Sequence, residues 1–237
     1  TEVTRDGKVW AKEYKRGKPQ AKVKPVGKGK GTGTKQIYKA DSEIFTELEY
    51  NWQTIIDHLR QQAYLTKGIT IRVYDDRDES KKQDYTFYFE GGIASYVRFL
   101  NHNTEAKQEK VFYVDKTQDD IQVEVAVQYM IEFREVVYTF ANNIHTTEGG
   151  MHLVGFKAAL TRVLNKYARA NGFLREKDDN LTSDDVREGL TAIVSVKLRE
   201  PQFEGQTKSK LGNAEVRPIV EGIFNDYFSA FLEENPR

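Results

Sequence analysis

The chain has 237 residues, with 36 Lys and Arg balanced by 36 Asp and Glu, and no cysteine. A chain of this length holds one or two domains and can bury a core without disulfide or metal staples. The lack of cysteine excludes disulfide frameworks, cysteine-ligated zinc, iron–sulfur clusters and thiol catalysis. His58, His102, His145 and His152 are scattered without metal-ligand spacing, so no metal site is expected. There is no apolar run of roughly 18 residues of the kind that spans a membrane. The first ten residues carry no signal-peptide core. The expectation is a soluble, cytoplasmic protein with no membrane partner.

Charge is unevenly distributed. Residues 1–40 hold twelve Lys and Arg against three acids, leaving 24 basic and 33 acidic groups in residues 41–237. A surplus of this kind either attracts phosphates and nucleic acid or forms a solvated lysine-rich hairpin, and both readings stand on composition.

In chain order, residues 1–24 read as a strand pair turning at Asp6-Gly7. Residues 26–34 follow as a glycine-rich loop, and Gln36-Ile37-Tyr38 reads as a short strand. Thr46-Glu47-Leu48-Glu49 has the spacing of a capping box. Trp52, Ile55, Ile56, Leu59 and Ala63 then form one helical stripe that ends at Lys67-Gly68. Ile69–Asp75 and Tyr85–Phe89 predict a hairpin, and Glu90-Gly91-Gly92 marks a change of pattern taken as a domain boundary. A short helix follows, with Ile93, Tyr96, Val97 and Leu100 on one side.

Three strand-like runs come next. Ile121, Val123, Val125 and Val127 alternate as a half-buried strand does; Glu135–Phe140 is the second run; Leu190, Ala192, Val194, Val196 and Leu198 alternate again. Between the last two lies a helix from Met151 to Ala170, with an apolar stripe of Leu153, Phe156, Leu160, Val163, Leu164 and Tyr167. Arg162, Lys166 and Arg169 share its opposite face. Strands flanking a crossover helix predict an α/β layered domain. A final helix is expected from Asn213 as N-cap, with Val216, Ile219, Val220, Ile223, Tyr227, Phe231 and Leu232 buried.

Four segments have chemical potential, and each also has a structural reading. Gly27–Thr34 (GKGKGTGT) lets backbone amides approach a phosphate or a base edge, or is simply a flexible basic loop; it is neither a Walker A loop nor a GxGxxG fingerprint. Gly205–Leu211 (GQTKSKL) offers an amide, hydroxyls and two ammonium groups to an anion, or merely connects a strand to a helix. Glu148–His152 (EGGMH) allows a tight strand-to-helix turn, and His152 packs or caps more readily than it catalyses. Asp184 and Asp185 could ligand magnesium, but more readily cap a helical turn and pair with Arg187. No nucleophile stands out.

Taken together, RDGKVWAKEYKRGKPQ, KGTGT, SEIF, FYFEGGI, FANNIHTTEGGMHLVGFKAALTRVLN, DDVREGLTAIVSVKL and PQFEGQTKSKL occur in the order seen in a known family. The chain resembles the B subunit of bacterial DNA gyrase and, equally, the matching subunit of topoisomerase IV. The resemblance implies that residues 1–89 are the second half of a GHKL-type ATP-binding sandwich, and that residues 90–237 are a transducer domain with a left-handed βαβ crossover. It implies ATP and magnesium as cofactors, with the magnesium ligands and the catalytic glutamate outside this chain. By the same resemblance, Thr34 lies near adenine, Gln206 and Lys208 reach the γ-phosphate, and Arg5 stands at the pocket rim. Lys157, Arg162, Lys166 and Arg169 become candidates for contact with double-stranded DNA. The implied partners are DNA, the A subunit and a second copy of the B subunit. The implied role is ATP-driven closure of a DNA gate, with this stretch inactive in isolation. Two other readings remain: a non-catalytic nucleic-acid-binding module using residues 1–40, and a dimerisation module. A mismatch-repair or chaperone relative of the same ATPase superfamily fits the EGGMH and QTK segments less well.

Overall fold

The computed structural model describes residues 1–236, which divide into two compact units, residues 1–51 and residues 52–236. The first unit is a sheet with little above or below it. Its strands are β1 (Glu2–Arg5), β2 (Lys8–Ala11), β3 (Tyr14–Lys15), β4 (Lys18–Pro19), β5 (Lys24–Lys28) and β6 (Gly33–Lys35). Four of them form an antiparallel sheet in the order β5-β2-β1-β6, and β3 pairs with β4 as a separate ribbon. The expected turn at Asp6-Gly7 is present, with both residues at positive φ (52° and 74°), the twist that two-residue hairpins require. Arg16-Gly17 repeats this geometry at 50° and 75° and joins β3 to β4.

Two expectations fail in this unit. Strand β5 runs into the glycine-rich segment, and the strand beyond it is Gly33–Lys35 rather than Gln36–Tyr38, because Gly33, Thr34 and Lys35 pair with Thr4, Val3 and Glu2. The Thr46–Glu49 capping box lies in irregular chain, and the next helix starts only at Trp52.

The second unit opens with α1 (Trp52–Leu65), then β7 (Thr70–Asp75) and β8 (Gln83–Tyr88) as an antiparallel hairpin, and α2 (Gly92–Leu100). The pattern change at Glu90-Gly91-Gly92 thus falls inside this unit. Strands β9 (Phe112–Gln118), β10 (Ile121–Tyr129), β11 (Val136–Ala141) and β12 (Ile144–His145) follow, then α3 (Met151–Ala170), β13 (Leu190–Lys197) and α4 (Val216–Glu234). The five-stranded sheet has the order β12-β11-β13-β10-β9. Within it β11 and β13 are parallel neighbours joined through α3, the expected βαβ unit, and the other pairings are antiparallel.

Both faces of this sheet are covered. Val123, Val125, Val127, Ala192, Val194 and Val196 pack against α3 and α4. Ala126, Phe140 and Ile193 pack against α2 and the end of α1. This explains a further difference from the pattern reading. Strands β10 and β13 alternate in sequence as half-buried strands do, yet both are buried almost throughout, because α1 and α2 cover the face that bears Glu124, Gln128, Thr191 and Ser195. Those polar groups are partly matched to one another: Asn101 donates to Gln128 at 2.9 Å and accepts from Thr191 at 2.8 Å. Strand β9 is not expected from the pattern; its apolar residues are only Phe112 and Val114 before it turns polar.

Helices α3 and α4 pack closely because Gly155 has no side chain. A Cβ there would stand 2.6 Å from the carbonyl oxygen of Arg217. Phe156, Phe224, Phe228 and Phe112 form edge-on and stacked contacts in this layer. Phe224 and Phe228 replace the expected Tyr227, which is 43% exposed. Asn213 is not the N-cap of α4; Glu215 is. Asn213 is buried, accepting from the Gln202 amide at 2.6 Å and donating to the Glu200 carbonyl at 3.2 Å. It thereby ties the start of α4 to the segment entering the Gly205–Leu211 loop.

Candidate functional site

The Gly205–Leu211 loop is an outgrowth of the α3 entry turn. At its base Phe203 and Leu211 bridge antiparallel, and Leu211 also bridges parallel to Gly150. The Leu211 amide donates to Gly149 O at 3.0 Å, and the Met151 amide donates to Leu211 O at 3.0 Å. One residue outward, the Glu148 amide donates to Ser209 O at 2.9 Å, and Ser209 Oγ donates to Glu148 Oε1 at 2.8 Å. Lys210 pairs with Glu204 at 3.1 Å across the other side of the loop. The EGG and QTKSKL segments, 50 or more residues apart in sequence, are thus stitched together. Gly150 permits the approach: its φ is 133°, and a Cβ would lie 2.3 Å from Leu211 O.

At the tip the chain turns through Gly205 (φ 87°) and Lys208 (φ 56°), closed by the Lys208 amide on Gly205 O at 3.2 Å. Gln206, Thr207 and Lys208 are exposed. The Lys208 ammonium stands 6.0 Å from the Phe203 ring and, among the described residues, has no carboxylate partner. A mobile-headed cation on a fixed base suits a terminal phosphate.

His152 lies directly beneath this stitch, as packing rather than chemistry. It is fully buried; Nε2 meets Thr146 Oγ1 at 3.1 Å, and Nδ1 meets no partner among the described residues. Burial pushes its pKa down to about 4, so it is neutral at physiological pH. Asp185 accepts from the amide and hydroxyl of Thr182, both at 2.7 Å, and Asp184 pairs with Arg187 at 2.6 Å as expected, although Asp184, at the N-cap of the short turn Asp185–Arg187, makes no side-chain capping bond. No group of three or more His, Asp or Glu side chains converges as a metal site among the described residues.

The outer face of α3 forms a shallow groove of about 640 Å³ lined by Lys157, Arg162, Lys166 and Arg169, so the structure brings all four predicted cations together. Their engagement differs. Lys157 lies 3.9 Å from Glu135, and Arg162 lies 3.3 Å from Glu221. Arg169 is spent on structure: it donates twice to Asn180 Oδ1, at 2.9 and 2.6 Å, and to the carbonyls of Arg175 and Asp178, both at 2.9 Å. Asn165, which no sequence motif marks, donates to Leu181 O and accepts from its amide, pinning the same loop to α3. Of these four, only Lys166 presents an exposed ammonium without an ion pair among the described residues.

Arg5 and Thr34 lie in the first unit on neighbouring strands. Thr34 is exposed on β6 opposite Val3 of β1; Arg5 ends β1, is 75% exposed along its side chain, and among the described residues pairs only with Asp6, at 3.5 Å.

The sequence pattern also missed a charged cluster in the second unit. Lys67, just past α1, reaches Asp115 and Glu124, each at 3.1 Å, and hydrogen-bonds the Tyr113 hydroxyl. Tyr113 donates to Glu124 at 2.8 Å, and Lys197 stands 3.8 Å from Glu124. Burial alone would lower the Lys67 pKa, but Tyr113 and the two carboxylates outweigh it and hold the ammonium charged. Glu124 sits at a position the alternation assigns to solvent, so only the covering α1–α2 layer shows the need for a cation.

A family model described as DNA gyrase B matches residues 92–237. The chain belongs to the DNA gyrase B family. It is 51% identical over 235 residues to the gyrase B protein of Bacillus mycoides, covering 99% of this chain and 58% of that protein. To the gyrase B protein of Clostridium acetobutylicum it is 48% identical over 237 residues, covering 37% of that protein. The chain therefore spans between about a third and three-fifths of the length of these gyrase B relatives. The 43K ATPase domain of Thermus thermophilus gyrase B, solved with an aminocoumarin, superposes over all of this chain and 63% of that domain, with TM-score 0.80 and 34% identity. The ATP-binding domain of Francisella tularensis topoisomerase IV shares the fold at TM-score 0.80 with 23% identity. Of the two proteins the motifs resemble equally, these curated relatives are gyrase B. No helix among the described residues is long and apolar enough to cross a membrane.

Proposed function

We propose that this chain is part of the ATPase region of a gyrase B protein, an ATP-driven type II topoisomerase component of the cytoplasm, with Lys208 contacting the ATP γ-phosphate. Residues 1–89 then supply the second half of the ATP-binding domain and residues 90–237 the transducer. Gln206 assists Lys208, Thr34 lies near the adenine, and Arg5 stands at the pocket rim. Bound ATP supplies the phosphate charge, and magnesium is held by residues outside this chain. Lys208 is drawn to the terminal phosphate while it is present and is released when it departs. A contact made in only one of two states is what coupling requires. Lys157, Arg162 and Lys166 offer cations to the phosphates of a double-stranded DNA segment; Arg169 shapes the groove they line. The gyrase A protein and a second gyrase B protein complete the assembly.

The observation that carries this reading is the free ammonium of Lys208, without a carboxylate partner among the described residues, on a loop stitched to the α3 entry turn. The test is steady-state ATP hydrolysis by the full-length protein, with and without DNA, for wild type and Lys208→Ala. The expected outcome is a loss of orders of magnitude with an unchanged melting temperature. Unchanged hydrolysis would make Lys208 an ordinary loop residue. The 237-residue chain alone is expected not to hydrolyse ATP.

A further inference from the structure

We propose that Glu148 is a positioning residue for the phosphate contact, acting through Ser209; the inference rests on Lys208 being the γ-phosphate ligand. Among the described residues, the tip 205–208 is tied within the loop by the turn bond between Lys208 and Gly205 and by a long 3.4 Å bond from Thr207 Oγ1 to Ser209 Oγ, so the placement of Lys208 is inherited from Ser209 and the loop base. That base has two kinds of fastening. The backbone bonds of Leu211 to Gly149 and Met151 hold the inner end and need no particular side chain beyond the glycines. The outer end, next to Lys208 in sequence, is Ser209, and Glu148 grips it twice: amide to carbonyl at 2.9 Å, and carboxylate to hydroxyl at 2.8 Å. Only the second grip depends on side chains. A carboxylate acceptor makes it charge-assisted and short, so it fixes direction as well as distance.

Glu148 also precedes α3 by three residues, and the groove cations project from that helix. A displacement of the loop tip toward a phosphate therefore pulls on the residue that leads into the groove-bearing helix. Without the Ser209 hydroxyl bond the tip is free to reorient about the backbone bonds. Lys208 would then meet the phosphate less often, while parts of the nucleotide bound by other residues would be unaffected. Glu148 touches no nucleotide in this account.

The test is binding of a non-hydrolysable ATP analogue and of ADP to the full-length protein, since only the analogue carries the phosphate that Lys208 reads. Glu148→Ala and Ser209→Ala are each expected to weaken the analogue by roughly fivefold, the weight of one net hydrogen bond, with ADP affinity and melting temperature unchanged. Glu148→Gln keeps an acceptor and restores most of the analogue affinity, and the double variant is no worse than either single one. Retention of wild-type discrimination by Glu148→Ala would overturn the inference. So would equal loss of both nucleotides with a fall in melting temperature, since that marks a structural role. Lys208→Ala in the same assay separates the two levels. Loss of discrimination there with none at Glu148 removes only this inference, whereas retained discrimination at Lys208 removes the reading beneath it.

Discussion

Six strands and 51 residues in the first unit bury not one side chain, whereas the second unit covers both faces of a single five-stranded sheet with helices. Both segments are rich in strand-forming sequence, so propensity does not separate them. The difference is layering. Ordering each residue costs about 1–2 kcal/mol of backbone entropy, and apolar burial must offset it. The second unit has apolar residues on both sheet faces and two helical layers to meet them. The first has Ile37, Tyr38, Ile44, Phe45 and Leu48 exposed, and nothing within its own 51 residues to cover them. A glycine-rich lysine sheet of this kind takes its stability from whatever it is packed into.

The largest expected effect follows directly. Residues 52–237 expressed alone should unfold cooperatively, while residues 1–51 alone should give the circular dichroism and narrow amide dispersion of an unfolded chain. A cooperative melt of the short piece would break the comparison.

Glycine substitutions sharpen it. Gly150→Ala drives a Cβ into Leu211 O and should cost about 3 kcal/mol by denaturant titration. Gly7 and Gly17 also have positive φ, in the left-handed region at 74° and 75°, but no atom within 4 Å of a Cβ. Alanine at either should cost no more than about 1–2 kcal/mol, the left-handed backbone penalty alone.

A third prediction concerns pH. His152 titrates at about 4 when folded, against an ordinary value of 6.5. The unfolded chain therefore takes up its proton first as pH falls, and stability declines between about pH 6.5 and 4, then levels off once the folded form is protonated. The loss is about 3 kcal/mol at most. His152→Phe should flatten urea stability across that window, and an unchanged slope would contradict the burial argument.

A smaller effect is expected at Lys67→Met, which leaves the buried Glu124 with Lys197 as its remaining cation. A fully buried pair costs roughly 3–5 kcal/mol to break. Because Lys67 is 35% exposed, about 2 kcal/mol is expected. Burial would raise the Asp115 pKa, but the Gln122 amide and Lys67 hold it below its ordinary value, so its stabilisation is lost as pH falls through the acid range. The variant's melting temperature should fall less on acidification than that of the wild type.

Smallest for stability is Lys166→Ala. It should leave folding untouched and lower the salt slope of DNA binding by about 0.9; an unchanged slope would remove Lys166 from the proposed groove.

Much of the second unit was legible in the sequence because burial left a periodic imprint: the stripe of α3, the alternation of β10 and β13, and the glycines at each turn. The tightest local signals misled where tertiary pairing overrode them. The Thr46–Glu49 box lies in irregular chain ahead of α1, and the Asn213 side chain is engaged by the Glu200–Gln202 backbone and the Glu215 carboxylate rather than by the amides of the first turn of α4. The stitch between Glu148 and Ser209 leaves no periodic trace. Each residue is an ordinary polar member of a loop, and their bond depends on Gly150 bringing two distant segments into contact. The cations of α3 were visible as a face, but the tethering of Arg169 was not, because its partners are mainly backbone carbonyls.

The central claim is that the loop bearing Lys208 has a fixed base on the α3 entry turn and a free tip. Amide hydrogen exchange of the 237-residue chain tests it most directly. The amides of Glu148, Met151 and Leu211 should be protected to nearly the level of β13, while Gln206 and Thr207 exchange at loop rates. Base amides exchanging as fast as the tip would contradict the account, because Lys208 would then have no fixed point from which to report a phosphate.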